Sequence, residues 1–193
     1  MIIRKVFKFE NTHIVRKCVS KKCRSSIHGH SYKIEVLFES DSFDDAQMVY
    51  DFGLMKIHMK DLIESFDHSI TLWSKDDKGY VAAMKKYSDR WVELPVNPTA
   101  EQFARVIFLL TDLLISRTVF TNKEGRININ SVIVHETDSG YAQANSKDAY
   151  SESLGMINPN NIIFSDAVKE DWRDSKLWQK ILNGENIVNP KLV

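Results

Sequence analysis

The segment CVSKKCRSSIHGHSYKIEV, from Cys18 to Val36, brings two thiols and two imidazoles close together in the sequence. His28 and His30 stand two residues apart where a β-strand is predicted to begin. Side-chain direction repeats every second residue in a strand, so both imidazoles leave the same face. Gly29 between them has no side chain and allows the backbone to bend there. The pair is therefore a candidate for two ligands of one metal ion.

A catalytic zinc site needs a third ligand, and His13 is the candidate. It lies where the first predicted strand ends and would face the second strand across the sheet. Three imidazoles hold Zn²⁺ at ~2.0–2.1 Å and leave a fourth position for substrate or water. Spacing alone favours this interpretation no more than it favours histidines that are solvated or held by ordinary hydrogen bonds. Both interpretations stay open at this level.

Composition restricts the class of protein. The 193 residues, 43% of them hydrophobic, suffice for one substantial core. Two cysteines are too few for a disulfide framework or an all-cysteine zinc site, so Cys18 and Cys23 are expected to be free thiols. Lys plus Arg and Asp plus Glu number 26 each, which gives no indication of nucleic-acid binding.

The sequence predicts neither a leader nor a membrane span. The first residues, MIIRKVFKFEN, enter an alternating pattern directly, without a secretory apolar region. No run approaches the ~20 apolar residues that cross a bilayer. We expect a cytoplasmic protein without a membrane partner.

Two hydrophobic alternations predict the strands that must position the histidines. One covers residues 2–9, and the other runs from His30 through Phe38. The intervening residues 11–27 are long for a hairpin connection and rich in Lys, Arg, Ser and Cys. Such a connection favours a functional loop.

Further along the chain, DFGLMKIHMKDLIESFDH predicts a helix that ends at about Asp67. After a polar stretch at residues 74–90, a second helix is predicted to start at Pro98 and Thr99, with Glu101 in its first turn. ININSVIVHET and GYAQANS predict a third and a fourth strand. The order ββααββ indicates an α+β fold with an antiparallel sheet and two helices.

Six motifs occur in register along the chain: FKFENTH, C…HGHSYKIEV, MVYDFGLMK, FDH, NPTAEQFA and VHETDSGYA. In this order they resemble the family of 6-pyruvoyltetrahydropterin and 6-carboxytetrahydropterin synthases, over about residues 1–145. The resemblance implies a tunnelling fold, in which subunits join their antiparallel sheets into a trimeric barrel and two trimers stack as a homo-hexamer. It also implies that active sites lie between subunits.

The resemblance divides the chain in two. Residues 1–145 are predicted to form a pterin synthase-like domain, followed by a C-terminal extension of unknown role at residues 146–193. The extension is less patterned, apart from DWRDSKLWQKIL. That segment predicts a short amphipathic helix with Trp172 and Trp178 on its buried face.

The resemblance also implies roles for individual residues. His13, His28 and His30 match the family's zinc ligands. Cys23, five positions before His28, resembles the cysteine that serves as the catalytic base. Cys18, ten positions before His28, is the poorer match, and we expect it to be a packed or solvated thiol.

Three more motifs are implied to act on the substrate. Asp67 and His68 resemble a pair that takes part in proton transfer, although a helix C-terminal cap explains the pair as well. Glu136 in VHET resembles the carboxylate that binds the pterin, accepting two parallel hydrogen bonds from the ring edge. Thr99 and Glu101 in PTAE resemble a motif near the pterin pocket.

One departure from the family pattern follows the first histidine. Ile14 and Val15 stand where the family often has Arg-Leu, so Arg16 is the candidate for the missing positive charge. The departure affects the residues that are expected to contact the phosphates of the substrate.

The implied function is that of a zinc-dependent carbon-carbon lyase acting on 7,8-dihydroneopterin triphosphate. We favour formation of 6-carboxytetrahydropterin with release of acetaldehyde and triphosphate, in the branch leading to queuosine and other 7-deazapurines, over formation of 6-pyruvoyltetrahydropterin. A different class is a non-catalytic zinc- or pterin-binding module on the same fold. Binding alone does not require Cys23, Asp67 and His68, which counts against a module.

Overall fold

The computed structural model describes residues 1–193, and a long antiparallel hairpin forms its centre. Strand β1 (Ile2–His13) pairs with strand β2 (His28–Glu39) along its full length. One face of the hairpin is buried, which explains the alternation seen in the sequence. The buried apolar residues of this face are Phe7, Phe9, Tyr32, Ile34, Val36 and Phe38.

Five further strands complete a seven-stranded sheet. They are β3 (Ser69–Trp73), β4 (Trp91–Leu94), β6 (Asn128–His135), β7 (Tyr141–Ala144) and β8 (Ile163–Phe164). β6 and β7 extend the antiparallel hairpin on one side, whereas β3 and β4 run parallel on the other, and the order is β7-β6-β2-β1-β3-β4-β8. A separate two-stranded parallel sheet consists of β5 (Thr118–Val119) and β9 (Ile187–Val188). The predicted α+β class with a mainly antiparallel sheet is confirmed, and the sheet of a single chain is open.

The long helix α4 (Ala100–Arg117) covers the buried face of the sheet. It begins where the sequence predicts, because Thr99 is its N-cap and the Thr99 hydroxyl accepts a hydrogen bond from the Gln102 N–H at 3.3 Å. Its side chains Phe103 and Phe108 are fully buried. This helix therefore closes the core over the end of the hairpin that carries the histidines.

The first predicted helix is broken into three short pieces. They are a 3₁₀ turn at Leu54–Lys56, helix α2 (His58–Ile63) and a second 3₁₀ turn at Glu64–Phe66. The break falls at Ile57, whose backbone leaves helical geometry with ψ of −113°. The end of the segment at Asp67 agrees with the sequence, since Asp67 caps the second 3₁₀ turn.

Two helices occupy segments that the sequence left without an element. Helix α1 (Lys21–Ser25) lies in the loop between β1 and β2, and helix α3 (Lys78–Tyr87) lies between β3 and β4. Neither helix has a buried residue, so both lie on the surface of the protein. The strands β3 and β4 were not predicted either. No helix of the chain is long and apolar enough to cross a membrane.

The C-terminal residues pack against the same core. They form helices α5 (Ser146–Ala149), α6 (Asp166–Glu170) and α7 (Leu177–Leu182), and β8 pairs with β4. Trp172 and Trp178 are buried against Phe164, with ring centroids 5.1 and 5.9 Å away. The predicted amphipathic helix is shorter than expected, because α7 begins after Trp172. The domain division at residue 145 stays a prediction.

Candidate metal centre

Three imidazoles meet at the open end of the β1–β2 hairpin. His13 stands opposite His28 in the register, and His30 follows on the same face of β2. Their nearest ring nitrogens all lie within 4.8 Å of one another. These residues continue the buried stripe of Phe9 and Tyr32, so the cluster is an extension of the hydrophobic core. The structure thus brings together the three histidines that the sequence singled out.

Backbone carbonyls orient two of the three rings. Nδ1 of His13 lies 2.7 Å from the carbonyl oxygen of Pro98, and Nδ1 of His28 lies 3.0 Å from that of Ser26. A carbonyl oxygen only accepts, so each Nδ1 carries the proton and each Nε2 keeps its lone pair. Metal-binding histidines are usually held this way, by a donor bond from the other ring nitrogen.

The Nε2 atom of His13 tests whether the site fits a metal. It is buried and has no hydrogen-bond partner, although buried polar atoms are nearly always paired. A metal ion shared with the other two histidines would satisfy this atom. A donor set of three imidazoles is one that zinc prefers. The residues therefore fit a zinc ion.

The electrostatics of His13 agree with this fit. Burial lowers the pKa of the His13 imidazole to about 4, with the neighbouring His28 and His30 acting in the same direction and the bond to Pro98 opposing them. The ring is therefore neutral at pH 7, which is the protonation state that binds a metal. For the same reason the 3.9 Å approach between His13 Nε2 and Glu136 Oε1 is not an ion pair.

Glu136 lies beside the three histidines. It directly follows β6, and its Oε1 atom is 3.9 Å from Nε2 of both His13 and His30. The buried Tyr32 hydroxyl donates a hydrogen bond to the same oxygen at 3.2 Å. Burial and the nearby carboxylate raise the pKa of Tyr32, so its hydroxyl stays protonated and remains a donor. The Glu136 side chain keeps 31% exposure and can reach a ligand.

Asp67 and His68 form a hydrogen-bonded pair on the far side of β1 from β2. Oδ2 of Asp67 lies 2.9 Å from Nδ1 of His68, and Oδ1 accepts the backbone N–H of Glu10 at 2.8 Å. His68 has a left-handed backbone with φ of +51°. Its N–H donates to the Glu10 carbonyl at 2.8 Å. The pair is thus fixed to the central strand as well as capping a 3₁₀ turn.

Within one chain this pair does not contact the three histidines. His68 lines a cleft of about 550 Å³ whose walls include Glu10, Thr12 and Ser31. Glu10 and Thr12 alternate with Asn11 and His13, and Ser31 pairs with Glu10, so the three belong to the opposite face of the hairpin. Of the three histidines, only His30 also borders this cleft.

The two thiols are partly exposed and separate from the cluster. Cys23 lies in α1, where its carbonyl accepts the Val15 N–H at 3.1 Å. Its sulfur is not among the clustered ligand atoms of the three histidines. The Cys18 sulfur donates to the Ser20 carbonyl at 3.3 Å. Neither thiol therefore completes a fourth ligand position within one chain.

Arg16, Thr99 and Glu101 lie outside the cluster of three histidines. Arg16 donates from Nε to both carboxylate oxygens of Asp76 at 2.9 and 2.8 Å, so its charge is balanced inside the chain. The Thr99 side chain caps α4, and Glu101 is exposed in the first turn of that helix. The neighbouring Pro98 is the residue whose carbonyl orients His13, so the PTAE segment does adjoin the cluster.

Sequence reasoning missed Tyr32 and the carbonyl of Pro98. Tyr32 follows His30 at a spacing of two, in HGHSY, and this spacing, which places it on the same face, is the signal that could have identified it. The carbonyl of Pro98 has no sequence signal, since it reaches His13 across 85 residues of chain.

Comparisons with known proteins place these features in a family. A family model described as 6-pyruvoyl tetrahydropterin synthase matches residues 2–147. Two proteins from strains of Helicobacter pylori, both named 6-carboxy-5,6,7,8-tetrahydropterin synthase, are 35% identical over 186 residues, covering 96% of this chain and 93% of theirs. A protein of the same name from Aquifex aeolicus is 32% identical over 134 residues, covering 67% of this chain and 76% of its own.

Solved structures share the fold. An uncharacterized protein from Wolinella succinogenes superimposes with a TM-score of 0.58 at 18% identity, covering 76% of this chain and 98% of that chain. The 6-pyruvoyl tetrahydropterin synthase of Caenorhabditis elegans gives a TM-score of 0.51 at 20% identity, covering 76% of this chain and 95% of its own. At these identities the two structures show a common fold.

Proposed function

The chain belongs to the 6-pyruvoyl tetrahydropterin synthase family, and from this premise we propose that it is a zinc-dependent lyase. Its proposed reaction converts 7,8-dihydroneopterin triphosphate to 6-carboxy-5,6,7,8-tetrahydropterin, with release of acetaldehyde and triphosphate. The observation that carries the proposal is the cluster of His13, His28 and His30, in which a buried Nε2 atom lacks any partner. The choice of product follows the names of the H. pylori proteins, which match nearly the whole chain.

The three histidines would hold the metal through their Nε2 atoms. When bound, zinc polarises the hydroxyl oxygens of the substrate side chain and stabilises the charge that develops as a carbon-bound proton is lost. Glu136 is close enough to the cluster to bind the pterin while the side chain of the substrate lies at the metal. Tyr32 holds one Glu136 oxygen, which fixes the direction of the carboxylate.

Proton transfer is assigned to Cys23, Asp67 and His68. Cys23 lies in a partly exposed helix of the loop that leads into the histidine strand, and we propose it as the base. Asp67 orients the imidazole of His68 by accepting a hydrogen bond from Nδ1–H, so that Nε2 can exchange a proton with the substrate. We also propose that Thr99 and Glu101, which lie at the start of α4, border the pterin pocket.

Separation of the pair from the histidines supports an active site that is shared between subunits. His68 is 75% exposed and lines an open cleft, so a neighbouring chain can approach it. We therefore propose the barrel of three subunits and the dimer of trimers as the active assembly. Only the assembled form would then bring an Asp67–His68 pair to each metal centre.

Two alternatives remain distinct in what they predict. Formation of 6-pyruvoyltetrahydropterin uses the same residues and differs in the product. A non-catalytic zinc- or pterin-binding module would bind substrate without turnover. With the favoured reaction, we propose that the protein acts in the cytoplasm, in the biosynthetic branch that leads to queuosine and other 7-deazapurines.

One incubation separates the three. Purified protein at full zinc occupancy is mixed with 7,8-dihydroneopterin triphosphate, and the pterin product is identified by mass spectrometry while acetaldehyde is assayed. We expect the 6-carboxy product with stoichiometric acetaldehyde. A 6-pyruvoyl product would assign the first alternative, and binding without any conversion would assign the second.

A further inference from the structure

Of three consecutive C-terminal residues, two contact the segment that ends in the Asp67–His68 pair and the third contacts Arg90. We call Asp171, Trp172 and Arg173 the C-terminal brace. Nε1 of Trp172 donates to the hydroxyl of Ser65 at 2.9 Å. Arg173 donates to the carboxylate of Asp61 from its backbone N–H at 3.2 Å and from its guanidinium at 2.6 Å. The brace is therefore tied to residues two and six positions before Asp67.

Arg90 links the brace to the pair itself. Its Nη1 donates to the Asp171 carboxylate, and its Nε donates to the backbone carbonyl of Asp67 at 3.1 Å. The guanidinium is planar and rigid, so a partner that holds one of its nitrogens also aligns the others. Asp171 thus sets the direction from which Arg90 reaches the carbonyl of Asp67.

That carbonyl belongs to the peptide that joins Asp67 to His68. His68 has φ of +51°, a region that residues with a Cβ adopt only when their surroundings fix it. Bonds on either side provide the constraint: Arg90 holds the carbonyl of Asp67, and the Glu10 carbonyl accepts the N–H of His68 at 2.8 Å. The direction of the imidazole follows from this peptide plane.

A polar cavity of about 310 Å³ separates the brace from the pair. Its walls include Asp67 and His68 on one side and Asp171 and Trp172 on the other, with Arg90 between them. Arg90 therefore connects the C-terminal brace to the peptide group between Asp67 and His68. The brace lies beyond residue 147, where the match to the family model ends.

We propose that Arg90 and Asp171 are positioning residues for the Asp67–His68 pair, an inference that rests on the proposed catalytic role of that pair. They touch no substrate. They hold the Asp67–His68 peptide in the orientation that aims the imidazole, and this gives the C-terminal extension a part in turnover. A brace that only stabilises the fold would leave kcat per folded, zinc-loaded chain unchanged.

The test compares Arg90→Ala and Asp171→Ala with Asp174→Ala in the full-length, zinc-loaded protein. Asp174 accepts a hydrogen bond from Lys180 at 2.6 Å in the same C-terminal region, but it does not contact the pair. We expect kcat with dihydroneopterin triphosphate to fall about 10-fold to 100-fold in the first two variants, because a small misplacement of a catalytic group has an effect of this size. KM and zinc content should stay within about twofold, and Asp174→Ala should match the parent.

Two readouts separate positioning from general stability. Added guanidinium ion should restore part of kcat in Arg90→Ala and none in Asp171→Ala, which still has its guanidinium. Hydrogen exchange at the His68 amide should accelerate in both variants and not in Asp174→Ala. If Arg90→Ala does not fold, Asp171→Ala decides alone, because its side chain is 68% exposed in the parent protein.

The outcomes distinguish this inference from the proposed function. An active parent whose Asp171→Ala variant keeps its kcat overturns the positioning role and leaves the proposed function standing. A parent without turnover overturns the proposed function, and the catalytic part of the inference falls with it. Unchanged exchange at His68 in both variants overturns the inference whatever the parent does.

Discussion

His13 stands directly opposite His28 in the register of the β1–β2 hairpin, and the centroids of their rings are 4.6 Å apart. A shift of one residue between the strands would turn one of these imidazoles to the other face. The buried stripe that includes Phe9 and Tyr32 prevents such a shift, because it would expose large aromatic side chains. The packing of the core therefore determines which nitrogens can share a metal.

The first prediction concerns metal content. We expect the purified protein to carry about one zinc per chain, since three imidazoles with an open position match a catalytic zinc site. His28→Ala should lose the zinc, because two ligands remain. His135→Gln is the matched control, since His135 lies on the other face and bonds to Glu35. Elemental analysis gives the measurement, and full zinc occupancy in His28→Ala would sink the assignment.

A second prediction addresses Glu136. Glu136→Gln keeps the shape of the side chain but turns one acceptor into a donor, so the pterin edge meets a mismatched partner. Substrate affinity should fall about tenfold to a hundredfold, as expected for loss of a charged hydrogen bond, while zinc stays bound. Titration calorimetry with the substrate measures the change, and Asp138→Asn in the same exposed turn is the control. Equal affinities for Glu136→Gln and the parent would contradict the role.

The third prediction separates the two thiols. Cys23→Ala should lower turnover of dihydroneopterin triphosphate by ~10²–10⁴-fold, the usual effect of losing a positioned base. Zinc content and folding should be unaffected, because the Cys23 sulfur is not among the clustered ligand atoms. Cys18→Ala should retain the parent rate. Assays of both variants at matched zinc occupancy decide, and a Cys23→Ala enzyme as fast as the parent would leave His68 as the better candidate for the base.

The fourth prediction concerns stability and pH. Burial acts to raise the pKa of Glu35, but hydrogen bonds from Lys33, Arg4 and His135 outweigh it and lower the pKa to about 2. A carboxyl group with a lowered pKa stabilises the fold above its ordinary pKa near 4.5, and this contribution is lost as the pH falls from there toward 2. Two of its partners are substantially exposed, and solvent weakens their interaction with the carboxylate. We therefore expect Glu35 to contribute about 2 kcal/mol to the free energy of unfolding at pH 7.

Glu35→Gln is the variant that measures this contribution. Its free energy of unfolding in urea, determined at pH 7 and again at pH 3.5, should fall below that of the parent by a margin that narrows at the lower pH. Glu64→Gln removes an exposed pair with Lys60 and should cost only a few tenths of a kcal/mol. A margin that is the same at both pH values would show that Glu35 does not act through its charge.

Local patterns in the sequence determined much of the site. The spacing of His28 and His30 specified a shared face, and the alternation of β1 and β2 brought His13 within reach, because side-chain direction in a strand follows from backbone geometry alone. The start of α4 at Thr99 was predictable for the same kind of reason, since an N-cap acts within one turn of helix. The family resemblance is confirmed by the family model that matches residues 2–147.

Tertiary structure decided what depends on long-range contacts. The bond from His13 to Pro98 spans 85 residues, and the link from Arg90 to Asp171 spans 81. The strands β3 and β4 form because neighbouring strands and the C-terminal residues complete their pairing. The local hydrophobic pattern of the sequence does not predict this pairing. Periodicity reports which face of an element is buried but not what buries it. The sequence thus predicted the three histidines that cluster, and only the folded chain decided that these histidines and the Asp67–His68 pair lie on opposite faces of the same hairpin.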